Sequence, residues 1–204
     1  MRLIKYSHAC VRLEQDDRVL VIDPGVWSEA EALIGVTDVL ITHEHADHVD
    51  LDRLKAAEGV RIFAPAEAAA QATELGERVV TVAAGEDFTA GGFSVRAVGG
   101  LHAEIFDGLP GCANLGYIVE GVYHPGDSFF VPDEEVDTLL VPAAGPWFKL
   151  GEALEFTRAV KPARAFPIHD APLNDLGKSN VDGWMDFKGD TQYARLGTGE
   201  STTW

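Results

Sequence analysis

Cysteine is scarce in this chain: only Cys10 and Cys112 occur among its 204 residues. The two form no CxxC pair, and one widely spaced pair does not make a disulfide framework. The sequence therefore predicts neither a disulfide scaffold nor a thiolate zinc site. We expect each cysteine to be a small buried apolar residue.

Positive charge is also in short supply. There are 16 lysine and arginine residues against 33 aspartate and glutamate residues, a formal net charge of −17. A field of that sign repels phosphate backbones and anionic lipid headgroups, so we predict no nucleic-acid partner and no membrane partner. The sequence leaves open whether the chain forms a homo-oligomer.

Long apolar runs are missing as well. No segment approaches the roughly 20 apolar residues that span a bilayer. The opening MRLIKYSHACVRLE has no apolar region behind its basic residues of the kind that a secretory signal requires. We therefore expect a cytoplasmic protein.

What the chain does have is ordinary globular composition, 46% hydrophobic and 24% charged, which argues against wholesale disorder. Its length suits one large domain better than two small ones. Because no repeat, low-complexity tract or linker marks a boundary, we predict a single domain over residues 1–204.

Apolar periodicity predicts an α/β first half and a β-rich second half. Residues 3–14 and 18–25 predict a β-hairpin, after which strand and helix patterns alternate as far as residue 77. Strands divided by glycine-rich turns follow over residues 79–145, and then a helix that stops at Pro162 and a last strand at 163–169. Two β-rich halves with helices outside predict an α/β sandwich.

The periodicity fades after Asp170. Residues 171–204 have a loop-like pattern, and we expect them to form a C-terminal extension packed on the domain through Trp184, Phe187 and Tyr193.

The residues that suggest a function follow an apolar run in DVLITHEHADHVD, residues 38–50. His43 and His45 stand at i and i+2 after a strand, so an extended backbone directs both imidazoles to one side. Asp47 keeps that parity if the chain stays extended, whereas His48 breaks it where a helix pattern begins. A strand that turns into a helix within HxHxDH can therefore distribute its ligands around two adjacent ions. The alternative is a polar loop whose histidines cap a helix and face solvent.

Three more ligand-type residues stand at predicted strand ends, where a sheet holds side chains rigidly. His102 follows FSVRAVGGL, Asp127 follows GYIVEGVYHPG, and His169 follows ARAFPI. Each alone is typical of a turn, but together with the first motif they supply ligands for a pair of ions. Nitrogen and oxygen ligands without a thiolate suit Zn²⁺, with Mn²⁺ or Fe as alternatives.

The segments THEHADHVD, GGLHAEI, HPGDS and FPIHD, in this order, resemble the successive metal motifs of the metallo-β-lactamase superfamily. YSHACVRLE, VLVIDPG and VYHPGDS are most similar to its L-ascorbate-6-phosphate lactonase-like branch of metal-dependent hydrolases. The resemblance runs from about Ile4 to His169 and implies an αββα sandwich with the site along one edge of the sheets. It also implies two metal ions, one bound by His43, His45 and His102, the other by Asp47, His48 and His169, with Asp127 as the bridge.

The chain departs from the family pattern at three positions. Ser7 precedes His8 where this branch usually has glycine. Asp50 follows Val49 where nucleic-acid-processing relatives often have glycine. His45 stands where flavodiiron oxygen reductases have glutamate, which weighs against a redox reaction.

Two cations about 3.5–4 Å apart lower the pKa of a water held between them and present hydroxide to an electrophile. We therefore predict a dinuclear metal-dependent hydrolase that uses a metal-bridging hydroxide on a lactone, amide or other acyl bond of a small molecule. Asp47 and Asp127 are the predicted catalytic residues, since their carboxylates would orient the hydroxide and relay a proton. The alternatives are a metal-dependent phosphodiesterase and a non-catalytic metal-binding protein.

Two further residues are predicted to surround the site. Asp23, at the end of VLVIDPG, would accept a hydrogen bond from a ligand imidazole; the alternative is an aspartate that stabilises the turn before Pro24. His8 would line the pocket and touch the substrate, against the alternative of a buried, hydrogen-bonded histidine. For Lys149, the pattern favours a solvated lysine at the start of a helix. The alternative is a cation in the wall of the pocket.

Overall fold

Two seven-stranded sheets make up the computed structural model, which describes residues 1–109 and 111–204. In spatial order, the first sheet contains Ser201–Thr203 (β14), Arg2–Lys5 (β1), Val11–Gln15 (β2), Arg18–Ile22 (β3), Asp38–Leu40 (β4), Arg61–Ala64 (β5) and Val79–Thr81 (β6). The second sheet contains Gln192–Tyr193 (β13), Arg164–Ile168 (β12), Thr138–Pro142 (β11), Val122–His124 (β10), Ala113–Val119 (β9), Phe93–Leu101 (β8) and Asp87–Ala90 (β7).

Four α-helices cover the sheets in the described part of the chain: Leu51–Ala56 (α1), Ala66–Gln71 (α2), Leu150–Val160 (α3) and Asp175–Lys188 (α4). Asp50 caps α1, where its side chain accepts the N–H of Arg53 at 3.0 Å. Short 3₁₀ turns occupy Ala30–Leu33 and Thr73–Arg78. No helix within residues 1–109 or 111–204 is long and apolar enough to cross a membrane.

Side chains alternate between two layers of core along the strands. Leu20 and Ile22 of β3 face the second sheet, where they join a cluster that includes Tyr117 of β9, while Val21 faces Leu54 of α1 on the outside. A third cluster packs the outer face of the second sheet against α3 and α4. Helices therefore cover both outer faces of two stacked sheets, and the predicted αββα sandwich is confirmed.

The parallel strands of each sheet fix where loops meet. β3, β4, β5 and β6 run parallel in the first sheet, as do β10, β11 and β12 in the second. β8 runs in the same direction as β10, because each is antiparallel to β9. The carboxyl ends of these strands lie at one edge of the sandwich, and their loops can bring side chains from both sheets together.

The loop-like pattern expected for residues 171–204 is wrong. This segment contains α4 and adds an edge strand to each sheet: β13 pairs with β12 and β14 pairs with β1. Helix α4 escapes the sequence pattern because it contains two glycines, which have low helix propensity, and it is held by the burial of Val181 and Met185. Trp184 and Phe187 are exposed, whereas the Tyr193 hydroxyl donates to Asp182 at 2.6 Å.

Residues 3–14, expected to be one strand of a hairpin, are divided instead between β1 and β2. A tight turn joins the two strands, and within it Tyr6 N donates to Cys10 O at 2.9 Å. His8 lies in this turn, at the same edge of the sandwich as the carboxyl end of β3.

Candidate metal centre

All seven predicted metal ligands converge at the edge of the sandwich where the parallel strands end. They fall into two groups, and within each group the candidate ligand atoms lie within 4.8 Å of one another. The first group contains His43, His45, His102 and Asp127; the second contains His8, Asp47, His48 and His169. His8 is a member that the sequence had assigned to the pocket and not to the metal.

Asp127 lies between the two groups. Its Oδ1 is 3.1 Å from Nε2 of His48, a member of the second group. Its Oδ2 is 3.3 Å from Nε2 of His102 in the first group and 3.0 Å from Nε2 of His169 in the second. One carboxylate thus contacts imidazoles of both groups, the position that a bridging ligand requires.

Backbone carbonyls fix the orientation of two imidazoles. His102 Nδ1 donates to Ala103 O at 2.6 Å, and His169 Nδ1 donates to Ala144 O at 2.8 Å. Because a carbonyl oxygen only accepts, the proton of each neutral ring lies on Nδ1 and the lone pair of Nε2 faces the centre. Both rings therefore present a free nitrogen of the kind that binds metals.

Five buried side-chain atoms make no hydrogen bond with any described residue, and all five belong to these two groups. They are His8 Nδ1, His48 Nε2, His102 Nε2, His169 Nε2 and Asp127 Oδ1. An unsatisfied buried polar atom costs about 1–3 kcal/mol, so five in one place call for a ligand. Imidazole nitrogens with carboxylate oxygens suit a divalent cation such as Zn²⁺, and the residues present fit such an ion.

Asp23 supports the centre from the end of β3. Its Oδ2 is 2.7 Å from Nδ1 of His48, and its carboxylate also accepts the N–H of Thr42 at 2.8 Å and the Thr42 hydroxyl at 2.7 Å. The side chain of Asp23 is completely buried. It holds the His48 ring with Nε2 directed at Asp127, as expected of a carboxylate behind a ligand imidazole.

Three residues at the site adopt left-handed backbone conformations that side chains with a Cβ rarely take. The φ angles are 62° at His8, 51° at Asp23 and 57° at His169. Each such residue costs on the order of 1–3 kcal/mol, and residues held in this way concentrate at functional sites. The rest of the fold therefore maintains a strained arrangement around the two groups.

Two glycines allow the loops of the centre to approach closely. A Cβ at Gly25 would lie 1.9 Å from the backbone oxygen of Asp47, and a Cβ at Gly126 would lie 2.3 Å from Oδ1 of Asn114. That same Asn114 oxygen accepts the N–H of Asp127 at 2.9 Å. A larger residue at Gly126 would push Asn114 away and release the backbone of Asp127.

The two groups shift each other's protonation. Burial opposes the charge of Asp127, but the positive charge of His48 and the adjacent imidazoles of His102 and His169 outweigh it and hold the pKa of Asp127 well below its ordinary value. Burial also opposes the charge of His48, yet Asp127 and Asp23 raise the pKa of His48 well above its ordinary value. Burial, with the charge of His48, holds the pKa of His43 well below its ordinary value.

His8 is buried against the second group. Its Nε2 lies 2.9 Å from Oδ2 of Asp47, its ring centroid lies 3.9 Å from that of His169, and Trp27 meets the ring edge-on at 4.7 Å. Burial lowers the pKa of His8. This position joins His8 to Asp47 directly, a contact that the sequence pattern did not contain.

Trp147 is a contact of the centre that the sequence did not predict as such. The residue is buried in the loop after β11, and its indole Nε1 donates to Oδ2 of Asp127 at 3.0 Å. The ring also meets His102 and His169 edge-on. The sequence does place Trp147 after a strand that ends at the edge where the ligands lie. A tryptophan in that position is equally typical of the hydrophobic core, so the sequence alone does not assign it to the centre.

Two other polar residues, His124 and Lys149, lie outside the centre. His124 uses both ring nitrogens in the core: Nε2 donates to Ala9 O at 2.8 Å and Nδ1 accepts the N–H of Gly126 at 3.1 Å. Lys149 is exposed and its Nζ donates to Glu152 at 3.2 Å, as expected of a solvated lysine.

A cavity of about 420 Å³, here called the side cavity, opens beside the first group. It is lined by Glu44, His45, Leu101, His102, Ala103, Glu104, Ile105, Leu109, Gly111 and Cys112. Cys112 is only partly buried, so the expectation that both cysteines are buried holds for Cys10 alone. Burial and the charge of Glu44 raise the pKa of the Cys112 thiol, whose sulfur lies 3.9 Å from Nε2 of His45.

Comparison with known proteins agrees with this geometry. A family model described as "Beta-lactamase superfamily domain" matches residues 2–169. Among solved structures, Igni18, described as a novel metallo hydrolase from the archaeon Ignicoccus hospitalis, superposes with a TM-score of 0.79 at 21% identity, over 100% of this chain and 97% of that one. At that identity the likeness shows the fold alone.

Two relatives are similar in sequence over most of their length. Protein Rv0786c of Mycobacterium tuberculosis is 41% identical over 182 residues, 84% of each chain. A protein of Natranaerobius thermophilus named UPF0173 metal-dependent hydrolase is 31% identical over 191 residues, 83% of each chain. The predicted class, a metal-dependent hydrolase, is confirmed at this level, and the lactonase-like branch stays a prediction. The chain belongs to the beta-lactamase superfamily.

Proposed function

We propose that this protein is a dinuclear metal-dependent hydrolase that cleaves a lactone, amide or other acyl bond in a small molecule. The observation that carries the proposal is the position of Asp127 between two groups of ligand-type side chains. One group alone would resemble a mononuclear site, whereas Asp127 contacts imidazoles from both.

The donor atoms support a pair of divalent ions. His43, His45 and His102 would hold one ion, and Asp47, His48 and His169 the other, with Asp127 between them. Oxygen and imidazole donors suit Zn²⁺, with Mn²⁺ or Fe as alternatives. Cys112 is not needed as a ligand, because the nitrogen and oxygen donors of the two groups do not include it.

Two ions held by these residues would supply an activated water and would stabilise the negative charge that develops on the substrate. Asp127 and Asp47 have different roles beside the ions. Asp127 is almost fully buried, and the Trp147 N–H on its Oδ2 fixes the carboxylate plane. Because this hydrogen bond keeps the Asp127 carboxylate from rotating, Asp127 can orient the attacking water.

Asp47 is the carboxylate that is placed to move a proton. Its side chain is 22% exposed, against 3% for Asp127, so it faces the side from which substrate and solvent arrive. Its Oδ2 lies 3.4 Å from Nε2 of His169 and 2.9 Å from Nε2 of His8. Asp47 Oδ2 would accept the proton of the attacking water and pass it to the leaving group, while His8 keeps this carboxylate in place.

The proposal is tested by metal content and turnover. We would load the protein with Zn²⁺ or Mn²⁺, measure bound metal per chain by mass spectrometry, and assay lactones, para-nitrophenyl esters, anilides and bis(para-nitrophenyl) phosphate. Two ions per chain and turnover of acyl substrates are expected. Asp127→Ala should abolish turnover with an unchanged circular dichroism spectrum, while Asp133→Ala, an exposed aspartate before β11, should keep it.

The other outcomes separate the alternatives. Turnover of the phosphodiester alone would assign a phosphodiesterase, since two-metal sites also direct hydroxide at phosphorus. Two bound ions with no turnover in the whole panel would favour a metal-binding protein without catalysis. An Asp127→Ala variant with the activity of the unaltered protein would contradict the assignment of Asp127.

A further inference from the structure

The side cavity is continuous with the first group of the metal centre. His45 and His102 form part of its wall, so a molecule whose reacting bond lies at the ions would extend its remaining atoms into this space. A volume of about 420 Å³ falls in the range of small-molecule sites. The cavity is therefore placed to receive the part of a substrate that does not react.

One wall of the side cavity is an anchored loop. Leu101 and Ala113 are paired at the end of β8 and the start of β9, and His102 N donates to Cys112 O at 3.0 Å, which closes the base of the loop. Ala103 N donates to the backbone oxygen of Asp127 at 2.7 Å. These hydrogen bonds fix His102 and Ala103, at the base of the loop, relative to Asp127.

The lining combines apolar side chains with negative charge. Leu101, Ile105 and Leu109 are exposed by 73%, 42% and 56%, which is unusual for large apolar side chains and leaves apolar surface for a ligand. The charged residues in the described lining are Glu44 and Glu104, with no lysine or arginine among them. An anionic group placed here would lie near two carboxylates, the half-buried Glu44 and the exposed Glu104.

We propose that the side cavity selects substrates whose non-reacting part is apolar and carries no negative charge, and that it prefers one bearing a protonated amine. This inference rests on the proposed function, because it takes the two ions as the place where the bond is cleaved. The apolar wall binds the hydrocarbon part, and Glu44 and Glu104 pair with the ammonium group. A phosphate or carboxylate on the non-reacting part of the substrate is repelled by the same two residues.

Binding of metal-chelating probes tests the proposal without requiring turnover. We would use three phenylacetohydroxamic acids, with a methyl, aminomethyl or carboxymethyl group at the para position, and measure Kd for the Zn²⁺-loaded protein by calorimetry. A charge about 6 Å from a carboxylate at intermediate dielectric changes binding roughly tenfold. The carboxymethyl probe should bind at least about tenfold more weakly than the methyl probe, and the aminomethyl probe most tightly. A carboxymethyl probe that binds as tightly as the methyl probe would overturn the proposal.

A pair of double variants assigns the effect to the cavity. Glu44→Gln with Glu104→Gln should reduce the ratio of the carboxymethyl Kd to the aminomethyl Kd by about tenfold or more. Asp133→Asn with Glu135→Gln removes the same two negative charges from a different cavity, near the start of β11, and should leave that ratio unchanged. An equal reduction in both double variants would make net charge the cause and would overturn the proposal.

The para-nitrophenyl esters of the three corresponding arylacetic acids separate this proposal from the proposed function. Metal-dependent hydrolysis of the methyl ester with no charge preference overturns the assignment of the cavity while the hydrolase stands. Hydroxamates that bind in the expected order, with no ester hydrolysed, support the cavity and contradict the acyl hydrolase.

Discussion

Asp23→Asn is the substitution that most directly examines how the fold prepares His48 for a metal ion. The change keeps size and shape but turns one carboxylate oxygen into an NH₂ group. In the structure, Asp23 accepts three hydrogen bonds, from the Thr42 N–H, the Thr42 hydroxyl and His48 Nδ1. In either orientation of the amide, its NH₂ group therefore faces at least one N–H that only donates.

The expected cost follows from that mismatch. If the NH₂ faces His48, the ring must move its proton from Nδ1 to Nε2, the atom that faces Asp127 and the metal. Removing a carboxylate behind a ligand imidazole typically weakens metal binding by about 10–100-fold, or roughly 1.4–2.7 kcal/mol. If the NH₂ faces the Thr42 N–H, a buried backbone donor is left unpaired, at a cost of about 1–3 kcal/mol in folding.

Competition with a chromophoric chelator measures the metal affinity, and urea denaturation measures the folding free energy. Asp38→Asn is the matched control: Asp38 is also buried, in β4, but at the amino end of the strand, where its carboxylate pairs with Arg61. We expect Asp38→Asn to lower stability and leave metal affinity unchanged. An Asp23→Asn protein with unaltered metal affinity and stability would refute the role assigned to Asp23.

Three further predictions follow from other contacts. Trp147→Phe keeps an aromatic ring but removes the N–H that donates to Asp127. A hydrogen bond to a charged group contributes about 1.5–3 kcal/mol, so kcat should fall on the order of 10–150-fold, with Asp127 still required. Because Asp127 and Asp23 raise the pKa of His48 against the effect of burial, metal-free protein carries this proton at pH 7, and metal binding should release it; calorimetry in buffers of different ionisation enthalpy counts the protons. In the metal-free protein, the ion pair of His48 with Asp127 and Asp23 adds to the folding free energy. Because the pKa of His48 is raised on folding, this stability is fully present below the ordinary histidine pKa of about 6.5 and is lost as the pH rises through the raised pKa of His48. Leu13→Ala, which empties a fully buried position between the sheets, should cost about 2–5 kcal/mol in urea denaturation, and a smaller change would mean that the core there collapses around the gap.

Much of the fold follows from local pattern. Continuous apolar runs identify β3 and β11, whose two faces contact different layers of core. Helix α4 does not follow from pattern, because Gly177 and Gly183 weaken its periodicity and tertiary burial of Met185 decides its structure. The division between β1 and β2 was missed for a similar reason, since the turn at His8 depends on a left-handed residue that no turn-type glycine announces.

The candidate site was predictable where ligand-type residues directly follow strands. His102 and His169 stand next to β8 and β12, and the direction of those strands brings them to a common edge. The membership of His8 in the second group depends on the packing of one sheet on the other, which local sequence does not encode. Trp147 was missed as a donor to Asp127 because an indole N–H has no sequence signature apart from its ring.

The short strand β14 affects the tendency of the protein to aggregate at high protein concentration. It pairs with residues 2–4 of β1, and β13 pairs likewise with β12, so residues 192–204 cover one outer strand of each sheet. An uncovered β1 would offer its free N–H and C=O groups to any extended segment, including the same strand of another molecule. Loss of the last few residues would therefore leave the metal centre's own residues in place but expose an edge that promotes aggregation, and proteolytic trimming would be seen first as precipitation.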